Sequence, residues 1–352
     1  MRRINTNIHI KGYDLLGTDG SDGVRYAWEC GDGKGVLLES AAFPQKTKGV
    51  QDSISGYTTS VSRGCILRPL GYHCRFCRTG MTIPFSGFLT AFDIAKQNIL
   101  MVLTDMNCSD KTFLRTNARE FAYMGQGEPG YSYPQVRTAI KITDIVMQKL
   151  EQTVYRHIVA TSGIPEMIEA YKNDMMSRTF ESRVTMHFSL HAADRRNIIM
   201  PINNMYPFEI SLAALSDIHK ITGEKPCVGI IMFKNFTPSG CLEAYSNDIR
   251  ILSEIAKMLD PAAVRVSLCE FNESSDLGTV DFYTEAECES MLNVFIENGF
   301  EVKLFSSFGK QESTACGMLG GTQPAKLVGK KWLQLDAYAD ELIEYAVNQI
   351  WR

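Results

Sequence analysis

From about residue 88 to residue 306 the chain alternates short β-branched, apolar runs with longer segments whose apolar residues recur at helical spacing. No other feature constrains the fold as much. The spacing predicts helices over Phe88–Leu103, Tyr133–Leu150, Phe208–Ile221, Asn247–Leu259 and Glu285–Asn298, and another starting at Pro165, a residue suited to a first helical turn. Between them it predicts strands over Glu120–Met124, Val154–Thr161, Arg183–Leu190, Val228–Phe233, Val264–Phe271 and Glu301–Ser306. Such a rhythm implies an α/β chain with a parallel sheet and right-handed crossovers. About six units are too few for a closed eight-stranded barrel, so the expectation is a partial (βα)6-type barrel with functional groups at the C-terminal ends of the strands.

Residues 16–35 and 44–60 are rich in glycine and polar residues and read as loops around a short strand, Gly35–Ser40. The segment Lys330–Arg352 reads as an amphipathic helix, expected to pack on the barrel or on a second subunit. The expected division is therefore 1–56 as an N-terminal β extension, 57–309 as the barrel and 310–352 as a C-terminal segment ending in a helix.

Composition excludes several classes. Hydrophobic residues make up 45% and charged residues 22% of the chain, which rules out disorder as the main state. No apolar run is long enough to span a bilayer, and the N-terminus turns polar where a signal peptide would be apolar. A cytoplasmic protein without a membrane partner is expected. A net charge of −4 argues against a dedicated nucleic-acid surface. The ten cysteines, in a reducing compartment, point to metal binding or chemistry.

Three of those cysteines share one loop, Gly64-Cys65-Ile66-Leu67-Arg68-Pro69-Leu70-Gly71-Tyr72-His73-Cys74-Arg75-Phe76-Cys77-Arg78-Thr79-Gly80. The C-x8-C-x2-C spacing suits thiolate ligands of an iron–sulfur cube, with one iron left open. Zinc, with His73 as fourth ligand, is the competing reading.

With these flanks the chain resembles the radical S-adenosylmethionine (SAM) enzymes, and among them the adenine methyltransferases of large-subunit rRNA. The family motif is Gly-Cys-x3-Cys-x-Phe-Cys-x-Thr-Gly. Here the first gap is five residues longer, and Cys65, Cys74 and Cys77 are the matching metal ligands. Further matches follow in the family's order. Met124-Gly125-Gln126-Gly127-Glu128-Pro129 is similar to the Gly-Glu motif that holds SAM's amino group, at Gly127 and Glu128. Ser162, Ser189 and His191 (in Ser189-Leu190-His191-Ala192), the segment Pro201-Ile202-Asn203 with Tyr206, and Asn272 match other SAM-site segments.

Thr314-Ala315-Cys316-Gly317 resembles the segment whose cysteine carries the methyl group, and Glu39 matches a glutamate beside the substrate carbon. The resemblance implies a radical SAM barrel, a [4Fe-4S] cluster, SAM, and a flavodoxin- or ferredoxin-like electron donor. It also implies a mechanism in which Cys316 is methylated by one SAM. A radical from a second SAM takes hydrogen from that methyl, and the methylene adds to an sp2 carbon. Glu39 would serve as base, and a second cysteine would release the product through a disulfide.

Two departures stand out. The family's releasing cysteine aligns with Thr58 or Ser60, both hydroxyls, which leaves Cys30 and Cys108 as candidates. Thirty-eight residues precede Glu39, too few for the family's RNA-docking domain. The expectation is thus a methyltransferase acting through Cys316 on a small heteroaromatic substrate, not ribosomal. The alternatives are an RNA adenine methyltransferase acting on an RNA nucleotide, a radical SAM enzyme of another reaction, or a non-catalytic metal protein.

Overall fold

Three antiparallel strands open the chain: β1 (Ile8–Leu16), β2 (Gly23–Cys30) and β3 (Leu38–Gln45). β4 (Ile54–Thr58) pairs antiparallel with β3 and leads into the barrel. The computed structural model describes residues 6–16, 23–31, 38–45, 54–107, 117–272, 276–305, 319 and 330–351. After β4 come β5 (Ser62–Arg63), the short α1 (Arg78–Thr82) and β6 (Gly87–Phe88), with β5 and β6 paired in a small ribbon. Alternation then proceeds through α2 (Ala91–Asn107), β7 (Ala118–Tyr123), α3 (Tyr133–Lys149), β8 (Thr153–Thr161), α4 (Pro165–Met176) and β9 (Val184–Ser189). It continues with α5 (Arg196–Ile199), α6 (Phe208–Thr222), β10 (Cys227–Met232), β11 (Lys234–Pro238), α7 (Ile249–Met258) and β12 (Arg265–Glu270). The last elements are β13 (Gly278–Asp281), α8 (Glu285–Glu297), β14 (Val302–Phe305) and α9 (Lys330–Ile350).

The main sheet runs β1-β2-β3-β4-β7-β8-β9-β10-β12-β14, parallel from β4 onward, while β11 and β13 form a side ribbon. Each parallel strand sits beside its predecessor without reversal. Ala41 on β3 and Val302 on β14 line the same cavity, although most of the sheet separates them. The sheet therefore curls into an open barrel, as the alternation implies. Local chemistry fixes the helix ends. Asp248 accepts from the Ile251 amide at 2.8 Å, Thr284 and Glu287 form a capping box, and Gly223 closes α6 at φ +70°.

The two segments read as loops each contain a strand. β2 hides between glycine- and aspartate-rich flanks, yet Val24, Tyr26, Trp28 and Cys30 alternate and are all buried. β4, Ile-Ser-Gly-Tyr-Thr, is buried throughout with only two large apolar side chains, so hydrophobicity alone did not announce it.

The terminal helix α9 packs on α2 and α3, burying Leu335, Ala339, Leu342, Ile343 and Ala346. Each large side chain of that set contributes about 1.5–3 kcal/mol by leaving water. A buried cation reinforces the contact: Lys96 of α2 lies 3.2 Å from Asp336 and 2.9 Å from Asp340, and Asp336 meets His9 of β1 at 2.6 Å. Among the described residues no helix is long and apolar enough to cross a membrane.

Candidate active site

The strand-end turn after β4 and the glycine loop after β7 are built against each other. Thr59 accepts from the Gly125 amide at 3.0 Å, Gln126 accepts from the Val61 amide at 2.9 Å, and Ser60 Oγ accepts from the Gln126 amide at 2.8 Å. This closeness dictates the glycines. A Cβ at Gly125 would stand 2.6 Å from Ser60 Oγ, and one at Gly127, whose φ is +106°, would stand 2.2 Å from Ser62 Oγ. From behind, Gln97 of α2 holds the turn, accepting from the Ser60 amide at 3.1 Å and donating to the Ser60 carbonyl at 3.0 Å.

The cysteine loop continues from this turn. Its additional residues are absorbed in a closed bend, in which Tyr72 donates to the Leu67 carbonyl at 2.8 Å and Gly71 to the Arg68 carbonyl at 3.0 Å. The chain thereby returns, and Cys65, Cys74 and Cys77 come within electrostatic reach of one another. Burial pushes all three thiols above their ordinary pKa. For Cys65 the charge of Cys77 adds to this, and for Cys74 those of Cys77 and Cys65. Three partly buried thiols on one loop are a soft donor set that becomes thiolate beside a cation, which fits an iron–sulfur group. Among the described residues no group of three His, Cys, Asp or Glu side chains converges on one point as a single metal ion requires. Phe76 orients the C-x2-C pair by packing edge-on to His191, with centroids 4.9 Å apart, and tilted against Phe233 at 5.5 Å.

A cavity of about 860 Å3 fills the barrel, and its upper wall includes Cys74, Cys77, Gly127, Glu128, Ser162, Ser189, His191 and Asn272. Cys65 is not part of this wall but is close enough for the charges of Cys77 and Glu128 to act on it. Glu128 is held in the wall by four hydrogen bonds. The carboxylate accepts from the Gly130 amide at 2.9 Å, Thr161 Oγ1 at 2.8 Å, the Ser162 amide at 2.9 Å and Ser162 Oγ at 2.8 Å. Burial raises its pKa, and these four donors act against that rise by favouring the charged form. His191 sits at φ +55°, in the left-handed region, with its carbonyl held by Asn247 Nδ2 at 2.6 Å. Burial, then the charge of Arg196, lower its pKa to about 3, so the imidazole is neutral. Its Nδ1 has no hydrogen-bond partner among the described residues.

Arg196 is a residue of the candidate site that sequence reasoning missed. It is almost fully buried, and its guanidinium donates to the carbonyls of Leu190 at 2.9 Å, Ser162 at 2.9 Å and Ser189 at 2.8 Å, and to Asn203 Oδ1 at 3.0 Å. One planar fork thus ties together the ends of β8 and β9. Burial lowers its pKa to about 10, so it stays charged. Gln126 and Asn247, both fully buried and bonded to site backbone, were missed as well. Only the Pro-Ile-Asn segment, through Asn203, carried a signal for the Arg196 fork.

Glu39 stands apart from this group. It is fully buried on β3, with Arg25 at 3.9 Å, and it is not part of the cavity wall. Thr58 does line the cavity, and Ser60 Oγ donates to the Glu39 carbonyl at 2.5 Å. Cys30 belongs to the β2 face packed into the core, away from the cavity, whereas Cys269 of β12 lines it. Cys108 and Cys316 lie outside the described residues. Leu319 is described, is buried and lines the cavity, and its carbonyl accepts from Thr79 Oγ1 at 2.5 Å.

No family model matches the chain. Among curated proteins it is similar to a probable dual-specificity RNA methyltransferase RlmN of Pseudothermotoga lettingae, at 27% identity over 75% of this chain and 69% of that protein. A protein of the same description from Petrotoga mobilis is 25% identical over 88% of this chain and 78% of its own length. Another from Heliobacterium modesticaldum is 33% identical over 56% of this chain and 46% of that one. In fold, a radical SAM methyltransferase from Sphaerobacter thermophilus superposes with a TM-score of 0.70 at 19% identity, over 89% of this chain and 81% of that one. The resemblance carried by the motifs thus extends over most of the chain in sequence and in fold.

Proposed function

We propose that the chain is a radical SAM methyltransferase that passes a SAM-derived one-carbon unit through Cys316 to an sp2 carbon of a heteroaromatic substrate. Cys65, Cys74 and Cys77 would hold a [4Fe-4S] cluster, and Glu128, Ser162, Ser189, His191 and Asn272 would hold SAM. The observation that carries this reading is the hydrogen bond from Thr79 to the Leu319 carbonyl. It ties Leu319, three positions after Cys316 in the sequence, to the helix that begins right after Cys77. The sequence kinship and the shared fold support the enzyme class and its two cofactors.

When bound, the cluster and SAM supply the one-electron chemistry and the methyl group. The residues of the chain supply binding, orientation and water exclusion. Glu128, locked by four donors, presents a fixed carboxylate to an ammonium. Neutral His191 offers a hydrogen bond without adding a positive charge next to a cationic sulfonium ligand. Arg196 holds the carbonyls of Ser162 and Ser189 so that their side chains keep one orientation. Glu39 is the proposed base on the strength of its sequence match alone; it is buried on β3 with Arg25 at 3.9 Å as counter-charge. An external flavodoxin- or ferredoxin-like donor would supply electrons. Thr58 and Ser60 cannot form a disulfide, so product release differs from that of the family or uses another thiol.

A second reading, an RNA adenine as substrate, is favoured by the RNA methyltransferase description of the curated relatives. One experiment decides between the two. The anaerobically reconstituted protein is given SAM with an isotopically labelled methyl group, together with either ribosomal and transfer RNA or small purine and indole heteroaromatics. Label in the small compounds supports the first reading, and label in RNA the second. Label in neither, from a protein that turns SAM over, sinks transfer to an aromatic carbon.

A further inference from the structure

Between β10 and α7 the chain makes an excursion. β11 leaves the main sheet for the side ribbon, Phe236 and Tyr245 bridge across the turn, and the chain returns at Asn247, just ahead of α7. Asn247 is fully buried but does not line the cavity. All its polar atoms are engaged. The backbone amide donates to the Phe233 carbonyl at 2.8 Å, and the backbone carbonyl accepts from the Tyr283 hydroxyl at 3.1 Å. Oδ1 accepts from the Tyr245 hydroxyl at 2.9 Å, while Nδ2 donates to the carbonyls of His191 at 2.6 Å and Ile231 at 2.5 Å. Turning the amide over would set Oδ1 against two carbonyl oxygens, so one orientation alone satisfies the network.

The two side-chain bonds end on the cavity wall. His191, just beyond β9, and Ile231, near the end of β10, both line the cavity. At φ +55° His191 has a conformation that a non-glycine residue keeps only when its surroundings hold it. Its amide donates to the Gly229 carbonyl at 3.0 Å, and Asn247 takes its carbonyl. The backbone therefore aims the ring, whose Nδ1 has no hydrogen-bond partner among the described residues. Phe76, between Cys74 and Cys77, rests on the two aromatic residues that Asn247 holds: His191, at 4.9 Å, and Phe233, at 5.5 Å. The cysteine loop has another anchor that bypasses Asn247, from the Arg75 amide to the Ile199 carbonyl at 2.9 Å. Loss of the Asn247 side chain should thus shift the seat of Phe76 without unfolding the loop.

We propose that Asn247 is a positioning residue of the site: from outside the cavity it holds His191 in its strained conformation and, together with Phe233, fixes the seat of Phe76 and so of the C-x2-C pair. Asn247 does not reach the cavity and acts through His191 and Phe233. The proposal rests on the proposed function only in taking SAM as the ligand that reads the position of His191.

The first test needs no ligand. The full chain is isotopically labelled at its six histidines and their ring signals are read by NMR, that of His191 being identified by its loss in His191→Ala. The ring current of Phe76 should displace the His191 signal, and in Asn247→Ala the signal should move toward the position of an unpacked ring. Tyr171→Phe also removes one buried hydrogen bond, to the Val184 carbonyl at 2.9 Å, and should leave the signal in place. The second test is SAM affinity, by equilibrium dialysis of the anaerobically reconstituted chain. Asn247→Ala and His191→Ala should each weaken SAM at least tenfold, and Tyr171→Phe should not weaken it. The double variant should lose no more than the weaker-binding single variant, because both changes remove the same seat. If Asn247→Ala does not fold, Tyr245→Phe frees the amide to turn and should shift both readouts the same way by a smaller amount. An unmoved His191 signal overturns the proposal. So do unchanged SAM affinity, a loss matched by Tyr171→Phe, or additive losses in the double variant. A wild-type chain that binds no SAM contradicts the proposed function instead, and the NMR test still decides the role of Asn247.

Discussion

Ser162 gives Glu128 two hydrogen bonds at one oxygen: its backbone amide and its hydroxyl both donate to Oε2, at 2.9 and 2.8 Å. This joins the loop after β7 to the end of β8 and fixes a carboxylate at the cavity wall. Glu128→Gln keeps the shape but brings an NH2 group toward donors that already point inward. We expect SAM affinity to fall by at least tenfold while the fold survives, at a cost of about 1–3 kcal/mol. Equilibrium dialysis with SAM and urea unfolding measure the two effects. Unchanged SAM affinity would remove Glu128 from the binding site.

The glycines of the site differ in what they tolerate. Gly127→Ala meets both a positive φ and a 2.2 Å clash with Ser62 Oγ, so a loss of about 2–4 kcal/mol is expected. Gly71 also has a positive φ, +78°, but a Cβ there meets nothing within 4 Å. Gly71→Ala should therefore cost only about 1–2 kcal/mol, from backbone strain alone. Denaturant midpoints of the two variants check the order. An equal loss would mean that the approach of the two loops is not what fixes Gly127.

The clamp on α9 depends on pH. The hydrogen bond from Asp336 raises the pKa of His9 above 6.5, against burial. Burial opposes the charged form of Asp336, yet the bond from His9 and the charge of Lys96 bring its pKa below 3.8. The His9 contribution is therefore complete below pH 6.5 and is lost as pH rises through the higher folded value. The Asp336 contribution is complete above pH 3.8 and is lost as pH falls through the lower folded value. The stability advantage of the wild-type chain over His9→Gln should thus be greatest between these limits and shrink toward pH 8. Thermal unfolding across pH 4.5–8 reads it, and a constant difference would contradict the pairing. His9 is half exposed, so the effect is modest.

Much of this molecule was legible in the sequence because two periodicities dominate it. The helical and β segments after residue 88 announced the parallel barrel to within a few residues at most ends. The β2 and β4 strands were not seen because turn-forming residues flank them and because their inner faces carry small or polar side chains, such as Arg25, Ala27 and Gly56. In the site, the motif residues Glu128, Ser162, Ser189, His191 and Asn272 are gathered on one cavity wall, and the extended first gap of the cysteine loop closes on itself and brings Cys65 back to Cys74 and Cys77. Arg196 and Gln97 were invisible. Their role depends on backbone carbonyls and amides from distant strands, and side-chain type along the chain does not record which backbone atoms will be nearby.

The central claim is that Cys316 carries the methyl group. The direct measurement is peptide mass spectrometry of the protein after anaerobic reconstitution with iron and sulfide and incubation with methyl-labelled SAM. The account predicts a labelled methyl group on the Cys316 peptide. It should be absent from the Cys316→Ala variant and diminished in Cys65→Ser and Cys77→Ser, which should also lose iron. An unlabelled Cys316 in a protein that retains its iron and still cleaves SAM reductively would contradict the account, leaving a radical SAM enzyme of a different reaction.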